Sequence, residues 1–266
     1  MDAAPLCWVD GRIRPLDAGA VRADDTAYAQ GRGCYTSVRI ARGLPRFEAR
    51  HVRRLERGAR ALRLPPVDAR RVRAALSELS RAALPGGEGI VRLQISGDGS
   101  GGRHLIGVPR GLGADPPEWS AVTAPLTHPG PLLAGGHKLT NRLVQELASD
   151  EARDAGVDEA LLFDPAGRLV EGARSNLIIL DDAGPVTPPL SRGAVAGVCL
   201  EILRERFPAL REQDVDRKRL LAAREVLAVN SVRFVVPVGS LDGRPLASGE
   251  GGSLCAELGQ ALASED

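Results

Sequence analysis

The sequence predicts an α+β fold of two domains. Three features point there. Helical periodicity is confined to a few segments set among short apolar strands. A glycine- and proline-rich stretch, Pro109 to Pro117, interrupts the pattern near the middle of the chain. Beyond it a second set of strands and helices begins. The expected boundaries are a smaller domain over 1–110, a linker over 111–119 and a larger domain over 120–266 with a cleft between the two.

In order, Leu6–Val9 and Ser37–Ala41 read as strands, Glu48–Leu62 and Val67–Ala83 as helices, and Ile90–Ser96 and Leu105–Val108 as strands. After the linker, Ala121–Leu126 reads as a strand. Asn141–Ala155 reads as a helix capped by Thr140 and stopped by Gly156. Glu159–Leu180 predicts a β-meander whose first turn is Asp164-Pro165-Ala166-Gly167. A helix from about Val198 to Phe207 and strands at Val226–Val229 and Phe234–Val238 follow.

Composition removes several functions. The 266 residues carry 35 basic and 34 acidic side chains, a net charge of +1, without the basic surplus of a nucleic-acid binder. Aromatic residues are only 3%, too few for a base-stacking surface. No apolar run approaches a membrane span, and Met1 to Pro5 shows no secretory signal, so a cytoplasmic protein is expected. Cys7, Cys34, Cys199 and Cys255 stand singly and the histidines lack ligand spacing, which argues against a zinc site or a disulfide framework.

Only two residues are lysine, Lys138 and Lys218, against 33 arginines. Only lysine forms a Schiff base with a carbonyl, so each is a candidate. Lys218 lies at the charged helix start Asp216-Arg217-Lys218-Arg219 and reads as solvated. Lys138 follows small residues, Ala134-Gly135-Gly136, that permit close approach of a ligand; alone it also fits a loop lysine in water. Glu171 ends an apolar strand before Gly172, where a carboxylate either faces a crevice or sits in solvent. Gly193 and Gly197 lead into the helix at Val198, whose free N–H groups favour a phosphate. Ser231, in a turn after the strand Val226–Val229, adds a hydroxyl. On the helix Glu48–Leu62, Leu55, Ala59 and Leu62 mark the buried stripe. Arg54 lies on its flank beside His51 and Gly58, placed to reach an anion.

Together these segments resemble the class IV aminotransferase family, the pyridoxal-phosphate enzymes of fold type IV. Gly31-Arg32-Gly33-Cys34-Tyr35 resembles the family's early Gly-x-Gly-x-aromatic segment, and His51-Val52-Arg53-Arg54-Leu55 its His-x-x-Arg-Leu. The resemblance implies that pyridoxal 5'-phosphate sits in the interdomain cleft of a D-amino-acid-aminotransferase-like fold. Lys138 then matches the Schiff-base lysine, Glu171 the acid beside the ring nitrogen, and Arg54 the phosphate arginine. Ser175, Asn176, Gly197, Val198, Cys199 and Ser231 fall where the rest of the cofactor is held. A homodimer acting on a small-molecule substrate is also implied.

Within the family, Lys138-Leu139-Thr140-Asn141-Arg142-Leu143 resembles the Lys-x-x-Asn-Arg-Leu of the 4-amino-4-deoxychorismate lyases, which eliminate pyruvate to give 4-aminobenzoate for folate synthesis. Thr36 stands where transaminases of the family usually carry glutamate, and Leu143 where branched-chain enzymes carry tyrosine. Ser96 to Arg103 resembles the lyases' glycine-arginine loop with one residue extra. Tyr35, Thr36, Arg39 and Arg103 are the candidate substrate contacts. Departures are Cys199 for the phosphate threonine, Arg32 for a common aspartate, no arginine at Gly97-Asp98, and His104-Leu105 for glycine-tyrosine. The alternatives are a transaminase acting on D-amino or branched-chain amino acids, and a cofactor-binding protein without turnover.

Overall fold

The computed structural model describes residues 5–18, 21–98, 101–114, 116–131, 136–247 and 253–265, with the side chain of Ser253 left out. It divides into two compact units, Met1–Ala114 with His137–Asn141, and Asp115–Gly136 with Arg142–Asp266.

The first unit runs β1 (Leu6–Val9), β2 (Arg12–Pro15), α1 (Thr26–Gln30), β3 (Cys34–Ala41), β4 (Leu44–Pro45), α2 (Glu48–Ala61), α3 (Ala69–Ala83), β5 (Gly89–Gly97) and β6 (Arg103–Arg110). Its strands form a six-stranded antiparallel sheet in the order β2-β1-β6-β5-β3-β4. Alternation sends Val38 and Ile40 of β3, and Val91, Leu93 and Ile95 of β5, into one core with Leu55 of α2 and Leu76 and Leu79 of α3. Close packing there depends on Gly58, because a Cβ at that position would lie 2.9 Å from Cys34 Cβ. The helix expected from Val67 begins instead at Ala69. The Asp68 carboxylate accepts from the N–H groups of Arg70 and Arg71 and makes the cap.

The second unit runs β7 (Trp119–Thr127), α4 (Leu143–Asp154), β8 (Glu159–Phe163), β9 (Leu169–Gly172), β10 (Asn176–Asp181), β11 (Gly184–Thr187), α5 (Val198–Arg206), β12 (Arg211–Glu212), α6 (Arg217–Leu221), β13 (Glu225–Asn230), β14 (Phe234–Leu241), β15 (Arg244–Pro245) and α7 (Ser253–Ala263). Its nine-stranded sheet is ordered β12-β11-β10-β13-β14-β7-β8-β9, with β15 on β14. The expected meander is half right. β8 and β9 form a hairpin, with Gly167 at φ +74° in the turn. β10 then leaves it and pairs with β11 and β13. A fully apolar strand such as Leu177–Ile179 is buried on both faces and so carries no alternation that would assign its neighbours.

The expected α4 is shorter than its pattern, and Thr140 does not cap it. The Thr140 hydroxyl donates to the carbonyls of Gly31 and Gly33, so the helix starts at Leu143 after an Arg142 that makes no side-chain cap. α7 has no counterpart in the expected order; it buries Leu254, Leu258 and Leu262. No helix among the described residues is long and apolar enough to cross a membrane.

The division between the units falls at 114/115, inside the expected linker, but the segment bearing Lys138 belongs to the first unit and not to the larger second one. The cause is hydrogen bonding across a break in β-structure. Leu139 forms an antiparallel bridge with Cys34, Tyr35 N–H donates to Lys138 C=O at 3.0 Å, and Thr140 N–H donates to Gly33 C=O at 2.9 Å.

Candidate active site

In the first unit, β3 carries side chains to two faces. Cys34, Thr36, Val38 and Ile40 point one way, and Tyr35, Ser37 and Arg39 the other. Lys138 lies against the second face, its Nζ 5.0 Å from the centroid of the Tyr35 ring. The Arg92 guanidinium sits over the same ring at 4.0 Å. Arg92 was missed in the sequence. It is opposite Ser37 in register, hence diagonal to Tyr35 on that face. The signal was an arginine inside the apolar alternation of β5.

Thr36 is wholly buried on the helix-facing side, which corrects its expected role as a substrate contact. Its hydroxyl lies 2.6 Å from His51 Nδ1. His51 is also fully buried, and its imidazole is held well below the usual histidine range, first by burial and then by the positive charges of Arg54 and Lys138. It is therefore neutral at physiological pH. Arg54 is itself 7% exposed, on the packed side of α2 with His51 and Val52.

The two arginines expected to grip substrate carboxylates have partners within this unit. Arg39 Nη2 pairs with Glu88 Oε2 at 2.7 Å, because the β3–β4 turn brings Glu88 beside it. Arg103 donates to the carbonyl of Pro66. Gly99 and Ser100 of the glycine-arginine loop lie outside the described residues, as do Ala134 and Gly135 before Lys138.

In the second unit, Glu171 is 3% exposed on β9 and surrounded by donors. Val195 N–H donates to Oε2 at 2.8 Å and Gln145 Nε2 to Oε1 at 3.1 Å. His128 Nε2 approaches Oε1 to 3.4 Å. Asn176 Nδ2 donates to the carbonyl of Val195 at 2.8 Å, so Glu171 and Asn176 grip both backbone polar groups of one loop residue. That residue lies just before α5. Ser175 is differently placed from what was expected. Its hydroxyl donates to the buried Glu159 carboxylate at 2.7 Å, behind Gly172, whose position has no room for a Cβ. Burial pushes the Glu159 carboxyl above the usual range.

α5 opens at Gly197, which has no side chain to cap the first turn of Val198 and Cys199. A side chain at 197 would collide with Asn176 Oδ1. Both Val198 and Cys199 are buried. α5 packs on β13, which ends in a turn where Asn230 Oδ1 accepts from the N–H groups of Val232 and Arg233 and so fixes Ser231. These features fit the expected cofactor: an uncapped helix start suits a phosphate, and a buried carboxylate suits a cationic ring nitrogen. Lys218 is exposed on α6, as its charged surroundings predict.

A family model described as amino-transferase class IV matches residues 33–241. The aminodeoxychorismate lyase of Vibrio harveyi is 28% identical over 258 residues, covering 89% of this chain and 91% of that protein. The branched-chain-amino-acid aminotransferase of Escherichia coli K12 is 31% identical over 157 residues, 58% of this chain; the match spans about half of that relative, 49% of its length. Among solved structures, the 4-amino-4-deoxychorismate lyase from Pseudomonas aeruginosa superimposes with a TM-score of 0.82 at 31% identity, over 98% of this chain and 99% of that one. A hypothetical aminotransferase from Mycobacterium tuberculosis, PLP-bound form, gives 0.85 at 22% identity, over 98% and 99%, a likeness of fold.

Proposed function

The chain belongs to the class IV aminotransferase family, whose cofactor is pyridoxal 5'-phosphate, and on that premise we propose that it is a lyase releasing pyruvate from 4-amino-4-deoxychorismate to leave 4-aminobenzoate. One observation carries the choice within the family. Sequence similarity to the Vibrio harveyi lyase runs over 89% of this chain and 91% of that protein, and the Pseudomonas aeruginosa lyase structure is 31% identical over nearly the whole of both chains. Sequence similarity to the Escherichia coli branched-chain aminotransferase is instead confined to 58% of this chain and 49% of that enzyme, and its structure, superimposing over 99% and 95%, is only 23% identical.

In this reading Lys138 holds the cofactor covalently through Nζ. With the cofactor bound there and the substrate amine in place, the freed Nζ would be the base that takes the proton from the carbon bearing that amine. Bound pyridoxal phosphate supplies a sink for the electron pair released there. Glu171 would hold the ring nitrogen and favour its protonated form. The N–H groups of Val198 and Cys199, with Arg54 and Ser231, hold the phosphate. Asn176 keeps the loop before α5 in place through Val195. Tyr35, packed against Lys138, orients the amine. Loss of pyruvate by cleavage of its ether C–O bond leaves an aromatic ring, which drives the reaction forward. Nζ of Lys138 would also be the group that holds the cofactor again once 4-aminobenzoate leaves.

A transaminase reading is supported by the 31% identity to the branched-chain enzyme over 157 residues. The two part at one measurement. Purified protein incubated with aminodeoxychorismate and no amino acceptor releases pyruvate if it is a lyase. Turnover that appears only when an amino donor and a 2-oxo acid are both supplied overturns the lyase. The family likeness also supports a cytoplasmic homodimer, which light scattering of the purified protein checks as to mass.

A further inference from the structure

Glu171 is the carboxylate of the proposed site, and its neighbours are of a single kind. Val195 N–H, Gln145 Nε2 and His128 Nε2 all face it, and each is a donor. The state of His128 follows from its other nitrogen. Nδ1 accepts from Gly130 N–H at 3.1 Å, so Nδ1 carries no proton and the ring hydrogen resides on Nε2. The imidazole is 2% exposed, and its Nε2–H meets no hydrogen-bond acceptor in good alignment while lying 3.4 Å from Glu171 Oε1.

We propose that His128 and Gln145 are positioning residues that decide where the proton shared by Glu171 and the cofactor ring nitrogen resides. This rests on the reading that Glu171 faces that nitrogen. The physical reason is competition for one proton. A carboxylate and a pyridine nitrogen in contact share it, and it stays on whichever is the stronger base. Donors directed at the carboxylate oxygens stabilise the anion, so the proton stays on nitrogen and the ring remains an effective electron sink. With the donors removed, the buried carboxyl takes the proton and the ring becomes neutral. Val195 contributes a backbone donor that a change of side chain does not delete. Among the described residues, His128 and Gln145 are the side-chain donors that face Glu171. Neither was singled out in the sequence, since they lie on a loop and on α4, far from Glu171 along the chain.

The test uses holoenzyme loaded with ring-¹⁵N pyridoxal phosphate and reads the nitrogen resonance, which reports ring protonation directly and independently of turnover. The wild type is expected to show the protonated value. Gln145→Leu and His128→Leu each shift it toward the unprotonated value, and the double variant shifts it further. His128→Gln, which restores an N–H near the position of Nε2, returns it. In parallel, cofactor affinity changes by less than about threefold, because the phosphate contacts are untouched, while kcat falls by about tenfold or more. A ring resonance unchanged in Gln145→Leu and in the double variant overturns the proposal while leaving the cofactor assignment intact. If His128→Leu does not fold, Gln145→Leu alone decides the question. A wild-type protein that takes up no pyridoxal phosphate overturns the underlying reading itself, and this inference with it.

Discussion

Tyr35 and Lys138 are joined through both backbone and side chain: Tyr35 N–H donates to the Lys138 carbonyl at 3.0 Å, and Lys138 Nζ stands 5.0 Å from the Tyr35 ring. The backbone bond fixes the height of the lysine along β3, and the ring limits where its amine can go. Removal of the amine is the most direct test of the proposed chemistry. Lys138→Ala is expected to lose the visible absorption of bound cofactor that borohydride would otherwise trap at this residue. Turnover should drop at least about a hundredfold, the lower end of what a positioned proton carrier contributes. Peptide mapping after borohydride reduction checks the attachment. A pyridoxyl group found elsewhere refutes it.

Stability should depend on pH through His51. Its folded-state proton affinity is well below that of the unfolded chain, so below the ordinary histidine value of about 6.5 the unfolded chain binds the extra proton. Stability therefore rises with pH through that range, is lost as pH falls below about 6.5, and levels off beneath the folded value. The buried Glu159 has a raised value and gives the opposite slope, beginning near the ordinary glutamate value of about 4.3. Comparison with His51→Asn, which keeps a polar atom for Thr36, cancels the Glu159 contribution. In denaturant melts from about pH 5 to 8, the stability of the wild type minus that of the variant should rise with pH up to about 6.5 and then level off. Equal slopes would mean that His51 keeps an ordinary proton affinity in the fold.

Gly197→Ala should weaken cofactor binding without unfolding the chain. The added methyl meets Asn176 Oδ1, and Asn176 is short and already held by Val195, so it cannot swing away without losing that bond. The loop before α5 must then shift. A loss of about tenfold in affinity for pyridoxal phosphate, equivalent to about 1.4 kcal/mol, is expected in a titration of apoprotein. Unchanged affinity would place the phosphate elsewhere.

Cys199→Thr should act in the opposite direction. A hydroxyl is a much better donor than a thiol, and the position lies in the first turn of α5, whose N-cap, Gly197, brings no side chain. A gain of about 1 kcal/mol, roughly fivefold in affinity, corresponds to one added hydrogen bond. The same titration measures it, and a weaker affinity would show that the wholly buried site has no room for the branched side chain.

Leu161→Ala tests the second unit's core. Leu161 is fully buried in one cluster with Leu169 and Leu177, so truncation should cost about 2–5 kcal/mol of stability, read from the denaturant midpoint.

Much of the fold was legible where local pattern and local need agree. β1 matches its expected span, and α2 and α5 end within a residue of theirs, because apolar spacing and glycine placement act over a few residues. Lys138 stood out as a candidate by scarcity, and Glu171 by its place at a strand end before glycine. Partner assignments were not legible. Arg39 looked like a carboxylate grip until Glu88 proved to be its partner, and Ser175 looked like a cofactor contact until its hydroxyl proved to be on Glu159. Both pairings depend on which strands lie side by side.

The sequence alone determined the α+β order, which follows from residue type and spacing along the chain, and it offered Lys138, Glu171 and the glycine-led helix start as site candidates on the same grounds. Tertiary structure alone decided that 137–141 joins the first unit, that Thr36 turns to His51, and that His128, Gln145 and Val195 converge on Glu171. Those are contacts between residues far apart in the chain. A hydrogen bond depends on separation in space, and only the packed sheets set that separation.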